Sequence, residues 1–210
     1  MSNWEYKGIY KNYNMEGTIC LPNNSKLQVC DLIDTMPDFM READTLFIDP
    51  PCSQGNLTSF YTKNDDITTR SFDIFYRRLF ECINEISPKH LFLEIFSSNY
   101  NIFLEECNNI YQNIVIYDSF YYNKKSNKCW IFHCSNSPIQ KIEDMNNIDE
   151  EKVIRYICNY HSYNCIGDLC MGTGLVGKYA FLNRKKFVGI ELNKKRLALL
   201  VEFIMNYQWK

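Results

Sequence analysis

The sequence lacks any apolar run long enough to cross a membrane, and Met1-Ser2-Asn3-Trp4-Glu5 is not the start of a secretory signal. It has no C-x-x-C pair, although cysteine is not scarce. The ten cysteines are scattered, and Cys20, Cys30, Cys82, Cys134 and Cys158 sit inside apolar runs. That placement predicts reduced, mostly buried thiols in a cytoplasmic protein, with no disulfide framework; no metal site is expected from these spacings. Neither sign of charge is in excess: 23 Lys and Arg face 25 Asp and Glu, a net charge of −2. With that balance, nucleic acid could be held only through local basic patches. Repeats and low-complexity segments are absent. Aromatic residues, by contrast, are plentiful, with 15 Tyr and 14 Phe. The length of 210 residues suits one α/β domain with a real core and hardly two.

The most informative stretch is Cys165 to Glu191. A short apolar run ends at Asp168, the turn Gly172-Thr173-Gly174 follows, and Leu175 to Leu182 has helical spacing. Phe187 to Ile190 is a second apolar run, closed by Glu191. Strand, glycine turn, helix, strand and terminal acid make a unit suited to an adenosine-containing cofactor. Glycines let backbone approach a ligand at a helix N-terminus, and the acid can take both ribose hydroxyls. Gly172, Gly174 and Gly177 also spell the dinucleotide fingerprint G-x-G-x-x-G. Asp168 would meet a pyrophosphate with the wrong charge, whereas S-adenosylmethionine brings an amino group and a sulfonium. The residues after Glu191 suffice for one helix, so the other strands must come from earlier in the chain.

Those strands are legible. Lys26–Cys30, Thr45–Ile48, His90–Ile95, Ile114–Tyr117 and Cys129–Cys134 join Cys165–Leu169 and Phe187–Ile190. This predicts an α/β fold with a seven-stranded, mostly parallel sheet and one reversed strand in the pair Ile114–Cys134. Helices are expected over Asp31–Met36, Phe72–Ile86, Asn101–Tyr111, Asp149–His161 and Asn193–Tyr207. Ser53–Thr69 reads as a long polar loop of the kind that forms lids, and Ser135–Asn147 as a linker. A short strand near Thr18–Leu21 is the one element expected in residues 1–25, an N-terminal extension to the domain at 26–210. His90 and His133 fall in strands, where packing explains them. His161 ends a helix, where a cation suits the dipole.

Asp49-Pro50-Pro51-Cys52 ends the second of these strands. Prolines there withhold amide donors and leave carbonyls free. A carboxylate beside such a carbonyl can receive both hydrogens of an exocyclic amine. By itself D-P-P also fits an ordinary turn; together with the glycine unit it resembles the S-adenosylmethionine-dependent amino methyltransferases of nucleic acids. Asp49–Cys52 matches their [D/N/S]-P-P-[Y/F/W] motif, Asp168–Gly174 their D-x-F-x-G-x-G, and Gly189-Ile190-Glu191 their G-x-E. The catalytic motif precedes the cofactor motif, which is the circularly permuted order of the β-class.

The resemblance implies a Rossmann-like methyltransferase fold, S-adenosylmethionine as cofactor, and methyl transfer to adenine N6 or cytosine N4, adenine in DNA first. It implies that Asp168, Cys170, Gly172, Thr173 and Gly174 line the methionine end of the cofactor, that Glu191 and Asn193 lie at its ribose end, and that Asp49, Pro50, Pro51 and Cys52 form the catalytic turn. Cys52 stands where the family places a base-stacking aromatic, with Phe60, Tyr61, Tyr121 and Tyr122 as substitutes in reach; Cys170 stands where phenylalanine is usual. Cys52 as a nucleophile on a pyrimidine carbon is a separate reading. Ser135–Asn147 is too short for a target-recognition domain, which leaves recognition weak, on another segment, or on a partner such as a second copy. Lys124, Lys125 and Lys128, flanked by Tyr121 and Tyr122, form the basic-aromatic patch best suited to a nucleic-acid strand. A non-catalytic subunit, and a methyltransferase of RNA or a small molecule, remain alternatives.

Overall fold

Alternation along the strands sets the architecture. Leu46 and Ile48 face one side of the sheet and Phe47 the other; Leu91 and Leu93 oppose Phe92 in the same way. Each strand is therefore covered on both faces, as parallel sheets require. The computed structural model describes residues 3–64 and 70–208. Its strands are β1 (Thr18–Cys20), β2 (Lys26–Val29), β3 (Thr45–Ile48), β4 (His90–Ile95), β5 (Asn113–Phe120), β6 (Lys128–Ser135), β7 (Ile148–Asp149), β8 (Cys165–Asp168) and β9 (Lys186–Glu191). They form one sheet in the order β1-β2-β9-β8-β3-β4-β6-β5-β7. The helices are α1 (Gln54–Lys63), α2 (Phe72–Ile86), α3 (Tyr100–Ile110), α4 (Glu150–Tyr160), α5 (Leu175–Leu182) and α6 (Lys194–Asn206). Leu79 and Ile83 of α2 and Phe103 of α3 pack on one face; Ile157 of α4, Ala180 of α5 and Leu197 of α6 pack on the other.

The sheet has nine strands where the sequence predicts seven. The seven expected strands are present, with β6 antiparallel to both β4 and β5. The additions are edge pieces too short to carry an alternation signal. β1 is the short strand expected near Thr18–Leu21; it pairs antiparallel with β2, so the residues read as an extension belong to the sheet and add a second reversed direction. β7 pairs with β5 through Ser119–Ile148 and Phe120–Asp149 only.

Two local readings also change. Asp31–Met36 is not helical: the Asp31 carboxylate accepts from the Ile33 amide at 2.9 Å, closing a turn, and the helical residues are Asp38–Glu42, a 3-10 stretch beginning just after Pro37. Proline suits a helix start as well as a stop. Most of the expected lid loop is α1, capped by Ser53 Oγ accepting from the Asn56 amide at 3.2 Å. Only Leu57 and Tyr61 of α1 are buried, so its sequence is nearly all polar. The rest of that loop, 65–69, lies outside the described residues.

Two crossovers place the site. The chain goes from β3 through α2 to β4 on one face, and from β8 through α5 to β9 on the other. β3 and β8 are neighbours, so the crossovers leave their shared line on opposite faces, which opens a crevice at the C-terminal ends of the strands. β3–β8 pairing covers only Thr45–Ile166 and Leu46–Gly167. Close packing of α5 is part of the same construction. A Cβ on Gly177 would lie 2.6 Å from Leu200 Cδ2 and 2.7 Å from the Phe187 ring. Helix propensity alone would favour alanine there by about 1 kcal/mol. Overpacking costs about 1–3 kcal/mol. Gly177→Ala is therefore expected to lower the urea midpoint of unfolding with an unchanged slope; a raised midpoint would mean that α5 is free to shift.

Candidate active site

The glycine turn is built around two buried acids. Asp168 ends β8, and its Oδ1 accepts from the Cys170 amide at 2.9 Å. The Met171 amide donates to the Ile190 carbonyl at 3.1 Å, pinning the turn to β9. Glu191, at the tip of β9, accepts from the Gly172 amide at 2.7 Å and from the Asn193 amide at 3.0 Å. Gly172 has φ +56° and Gly174 φ +82°, the left-handed region that glycine enters without penalty. Gly174 begins α5, and a Cβ there would lie 2.7 Å from Leu200 Cβ, so this glycine supports the turn from beneath.

The acids and the turn line a cavity of about 260 Å³. Asp49, Pro51, Asp168, Cys170, Gly172, Thr173, Glu191, Tyr121 and Tyr122 lie on its wall. Other expected site residues do not. Asn193 caps α6, its Oδ1 accepting from the Lys195 amide at 2.8 Å, and donates from Nδ2 to the Lys63 carbonyl at 3.0 Å. It thereby orients Glu191 and ties α6 to α1. Pro50 is buried behind Asp49. Cys52 is off the wall and half-buried: its amide donates to Asn56 Oδ1 at 3.3 Å, and its carbonyl accepts from the side chains of Ser98 and Asn99. Burial pushes the Cys52 thiol up, and the Asp49 charge pushes it the same way. A nucleophilic thiol needs the opposite.

Charge in the cavity is lopsided. Asp31, Asp49, Glu94, Glu150, Asp168 and Glu191 face it, and Arg196 is the one cation among the described lining residues. Asp49 is exposed, its carboxyl open to the cavity, yet the cavity walls crowd it, and this desolvation pushes the carboxyl up to about 6, against the pull of the Tyr121 hydroxyl and Arg196. Tyr121 donates to Asp49 Oδ1 at 3.1 Å. Burial holds Glu94 and Asp168 well above the carboxylate range, with the Asp49 charge adding to both. Glu150 is raised to about 7 by burial and by Asp149. Burial also raises Glu191, while Arg196 and the two amides that it accepts from draw it back. Arg196 Nε has no hydrogen-bond partner, and its guanidinium lies 5.2 Å from the Phe60 ring centre.

Sequence reading did not single out Glu94, Glu150 or Arg196 as site residues. Glu94 carries the clearest overlooked signal, since a carboxylate inside the apolar run His90–Ile95 needs a reason. Its Oε1 accepts from Cys129 Sγ at 3.4 Å. Among the four aromatics in reach of the Cys52 position, Tyr61 is core, its hydroxyl donating to Asp31 at 2.7 Å. Tyr121 stacks on Phe96 at 4.5 Å, with 2° between planes. Phe60 lies under Arg196. Tyr122, 77% exposed with φ +56°, stands at the cavity edge with its ring open to solvent. Lys124, Lys125 and Lys128 are exposed on the same β5–β6 loop; Lys125 and Lys128 border a separate hollow with Asp118 and Asn147.

No protein-family model matches the chain, and no curated protein does. Solved structures do. The PvuII DNA methyltransferase, cytosine-N4-specific, aligns with a TM-score of 0.57 at 10% identity over 92% of each chain. M1.HpyAVI aligns at 0.56 and 14% identity over 84% of this chain and 96% of that one. TTHA0409 from Thermus thermophilus, complexed with S-adenosyl-L-methionine, aligns at 0.56 and 12% identity over 86% and 95%. At these identities the likeness establishes architecture: the chain has the α/β fold of the PvuII DNA methyltransferase.

Proposed function

We propose that this chain transfers a methyl group from S-adenosylmethionine to an exocyclic amino nitrogen of a nucleic-acid base, adenine N6 in DNA before cytosine N4. The observation that carries the reading is the meeting of Asp49 with Asp168, Gly172 and Glu191 on one cavity wall. The fold of the PvuII DNA methyltransferase supports it, as does S-adenosylmethionine bound in TTHA0409 and in the M1.HpyAVI complex. β3 with its D-P-P turn precedes the β8–β9 unit in the chain, the order that the resemblance to the β-class implies, within one methyltransferase domain to whose sheet β1, ahead of residue 26, also contributes.

The residues present fit such a cofactor. The cavity is rich in carboxyls with one arginine to offset them, so it favours a cationic ligand. Glu191 spends one hydrogen bond per oxygen on backbone amides and keeps lone pairs for two ribose hydroxyls. Asp168 and the Gly172-Thr173 turn serve the amino-acid end. When bound, S-adenosylmethionine supplies an electrophilic methyl on its sulfonium.

Asp49 accepts one amine hydrogen, and the resemblance gives the other to the carbonyl of Pro50, which is buried next to Asp49 and off the cavity wall; the pair favours a pyramidal nitrogen with its lone pair free. The proton that nitrogen must lose passes to Asp49. Tyr121 holds Asp49 in place, and burial together with the Asp49 charge disfavours a second charge on Glu94. Positioning and preorganised hydrogen bonds account for most of the acceleration. A duplex base has to flip out to reach this depth, and Tyr122 is the aromatic placed to stack on it. The Lys124–Lys128 loop then meets the phosphate backbone. Target choice falls to this loop, to α1, or to a partner or second copy, in the cytoplasm.

A labelled-methyl assay on DNA, RNA and nucleosides, with the product base identified, tests the reading. Asp49→Ala should abolish transfer and leave cofactor affinity within a few fold, because its main contact belongs to the transition state. Full activity in Asp49→Ala would overturn the mechanism.

The pH profile follows from the raised Asp49. Its carboxylate form accepts the amine hydrogens, so the transfer rate should fall as pH drops through about 6 and level off above about 7. A flat profile across that range would take Asp49 out of the role.

Stacking is tested separately. Tyr122→Ala should weaken binding of a base-flipped oligonucleotide by about 1–3 kcal/mol and spare cofactor binding. Cys52→Ser should keep most activity. A dead Cys52→Ser with intact cofactor affinity would point to covalent chemistry at a pyrimidine carbon.

A further inference from the structure

The sequence holds three histidines in 210 residues, and all three meet at one place. His90 opens β4, His133 lies in β6 opposite Phe92, and His161 follows the last turn of α4. Since His90 starts β4 and the active-site residues end their strands, the cluster occupies the opposite end of the sheet. No sequence spacing announces it, because the members come from three separate elements.

The ring nitrogens are placed as ligands are. One nitrogen from each histidine lies within 4.8 Å of the others. His90 Nδ1 and His133 Nε2 are 3.0 Å apart. Two imidazole nitrogens at about 2.0–2.1 Å from a tetrahedral zinc ion are separated by about 3.3 Å, so that edge needs little adjustment. The two edges to His161 are no longer than 4.8 Å, so its ring has to move inward to reach that spacing. His133 is 3% exposed and stacks on Phe92 at 4.1 Å, which fixes its ring plane.

Packing alone leaves the cluster unsatisfied. His133 Nδ1 and His161 Nε2 are buried without hydrogen-bond partners. A bound ion would engage His161 Nε2; His133 Nδ1 stays unpaired, because His133 turns its Nε2 toward His90. His161, the residue after α4, packs its ring edge-to-face on His90 at 4.4 Å and on Phe92 at 5.3 Å. Of the charged groups acting on the cluster, Asp44 favours a cation and Lys89 opposes one.

We propose that His90, His133 and His161 form a binding site for one divalent transition-metal ion, zinc by ligand type, clasping β4, β6 and the end of α4. An all-imidazole set selects zinc, copper or nickel over magnesium and calcium. His90 and His161 are half-buried, so the fourth position faces water. The clasp sits immediately before β8, where Asp44 accepts from the Asn164 amide at 3.0 Å and the Cys165 amide at 3.3 Å. Occupation would steady the segment that leads to Asp168 from the far end of the strand.

The test uses the full chain, stripped with chelator and titrated with zinc chloride, then with cobalt chloride as a spectroscopic probe. One equivalent should bind, the melting temperature should rise with zinc and fall back with chelator, and bound cobalt should show visible bands without thiolate charge transfer. His161→Asn and His90→Asn, chosen over the buried His133, should each weaken binding about tenfold or more. Absence of binding at about 100 µM zinc overturns the site, as does unchanged affinity in both variants or a thiolate band assigning the ion to cysteines. Methyl transfer is not the readout, so the outcome stands apart from the function proposed above.

Discussion

The structure depends on the short parallel pairing of β3 with β8. Two residue pairs join them, and past Leu46 and Gly167 the strands part. Because their crossovers lie on opposite faces, nothing from either layer closes the gap at their ends. The two residues that finish these strands, Asp49 and Asp168, therefore face one space although 119 positions separate them (168 − 49). Chain order is irrelevant to this geometry. A permuted chain reaches the same crevice so long as the same two strands end there side by side.

That geometry collects acids, and the collection is costly without a ligand. The carboxyls of Asp49, Glu94, Asp168 and Glu191 are all raised from their ordinary values, first because burial disfavours the charged form. A carboxyl raised in this way binds its proton more tightly in the folded than in the unfolded chain. Stability contributed by that proton is present at low pH and is lost as pH rises through the folded value, about 6 for Asp49. Arg196 opposes the cost, lowering Asp49, Asp168 and Glu191 together from the first turn of α6. A cationic ligand would do the same from within the cavity. Site acids of this kind are better explained by what they bind than by what they add to the fold.

Much of this was legible beforehand because the signals were periodic or steric. Short apolar runs marked the seven main strands, and the positive φ of Gly172 and Gly174 needs the glycines that the turn displays. Two kinds of feature were not legible. Elements held mainly by neighbours carry little pattern of their own: β7 is two residues on the edge of β5, and α1 buries only Leu57 and Tyr61. Residues recruited to the site from unrelated elements form no motif either. Glu94 arrives from β4, Glu150 from α4 and Arg196 from α6, and only the closed fold brings them to one wall. The histidine cluster escaped for the same reason.

The Cys52 position shows how a motif can lose a member while its geometry persists. In a D-P-P-aromatic turn the stacking ring and the acid come from adjacent residues. Here the residue after Pro51 points away from the cavity wall, its backbone held by Asn56 and Asn99. The hairpin loop between β5 and β6 arrives at the same wall from the other side. It brings Tyr121, which binds Asp49, and Tyr122, whose ring is open to solvent. Tyr121 is already engaged by Phe96 on one face, so the two tyrosines divide what one aromatic would do, the first fixing the acid and the second offering a surface. Tyr122 and Asn123 hold left-handed backbone, and the Asn123 amide donates to the Asp149 carboxylate, which ties the loop to the start of α4. On the proposed function, a base entering the cavity would meet an acid fixed by Tyr121 and the exposed face of Tyr122, with Lys124 and Lys125 following in the same loop.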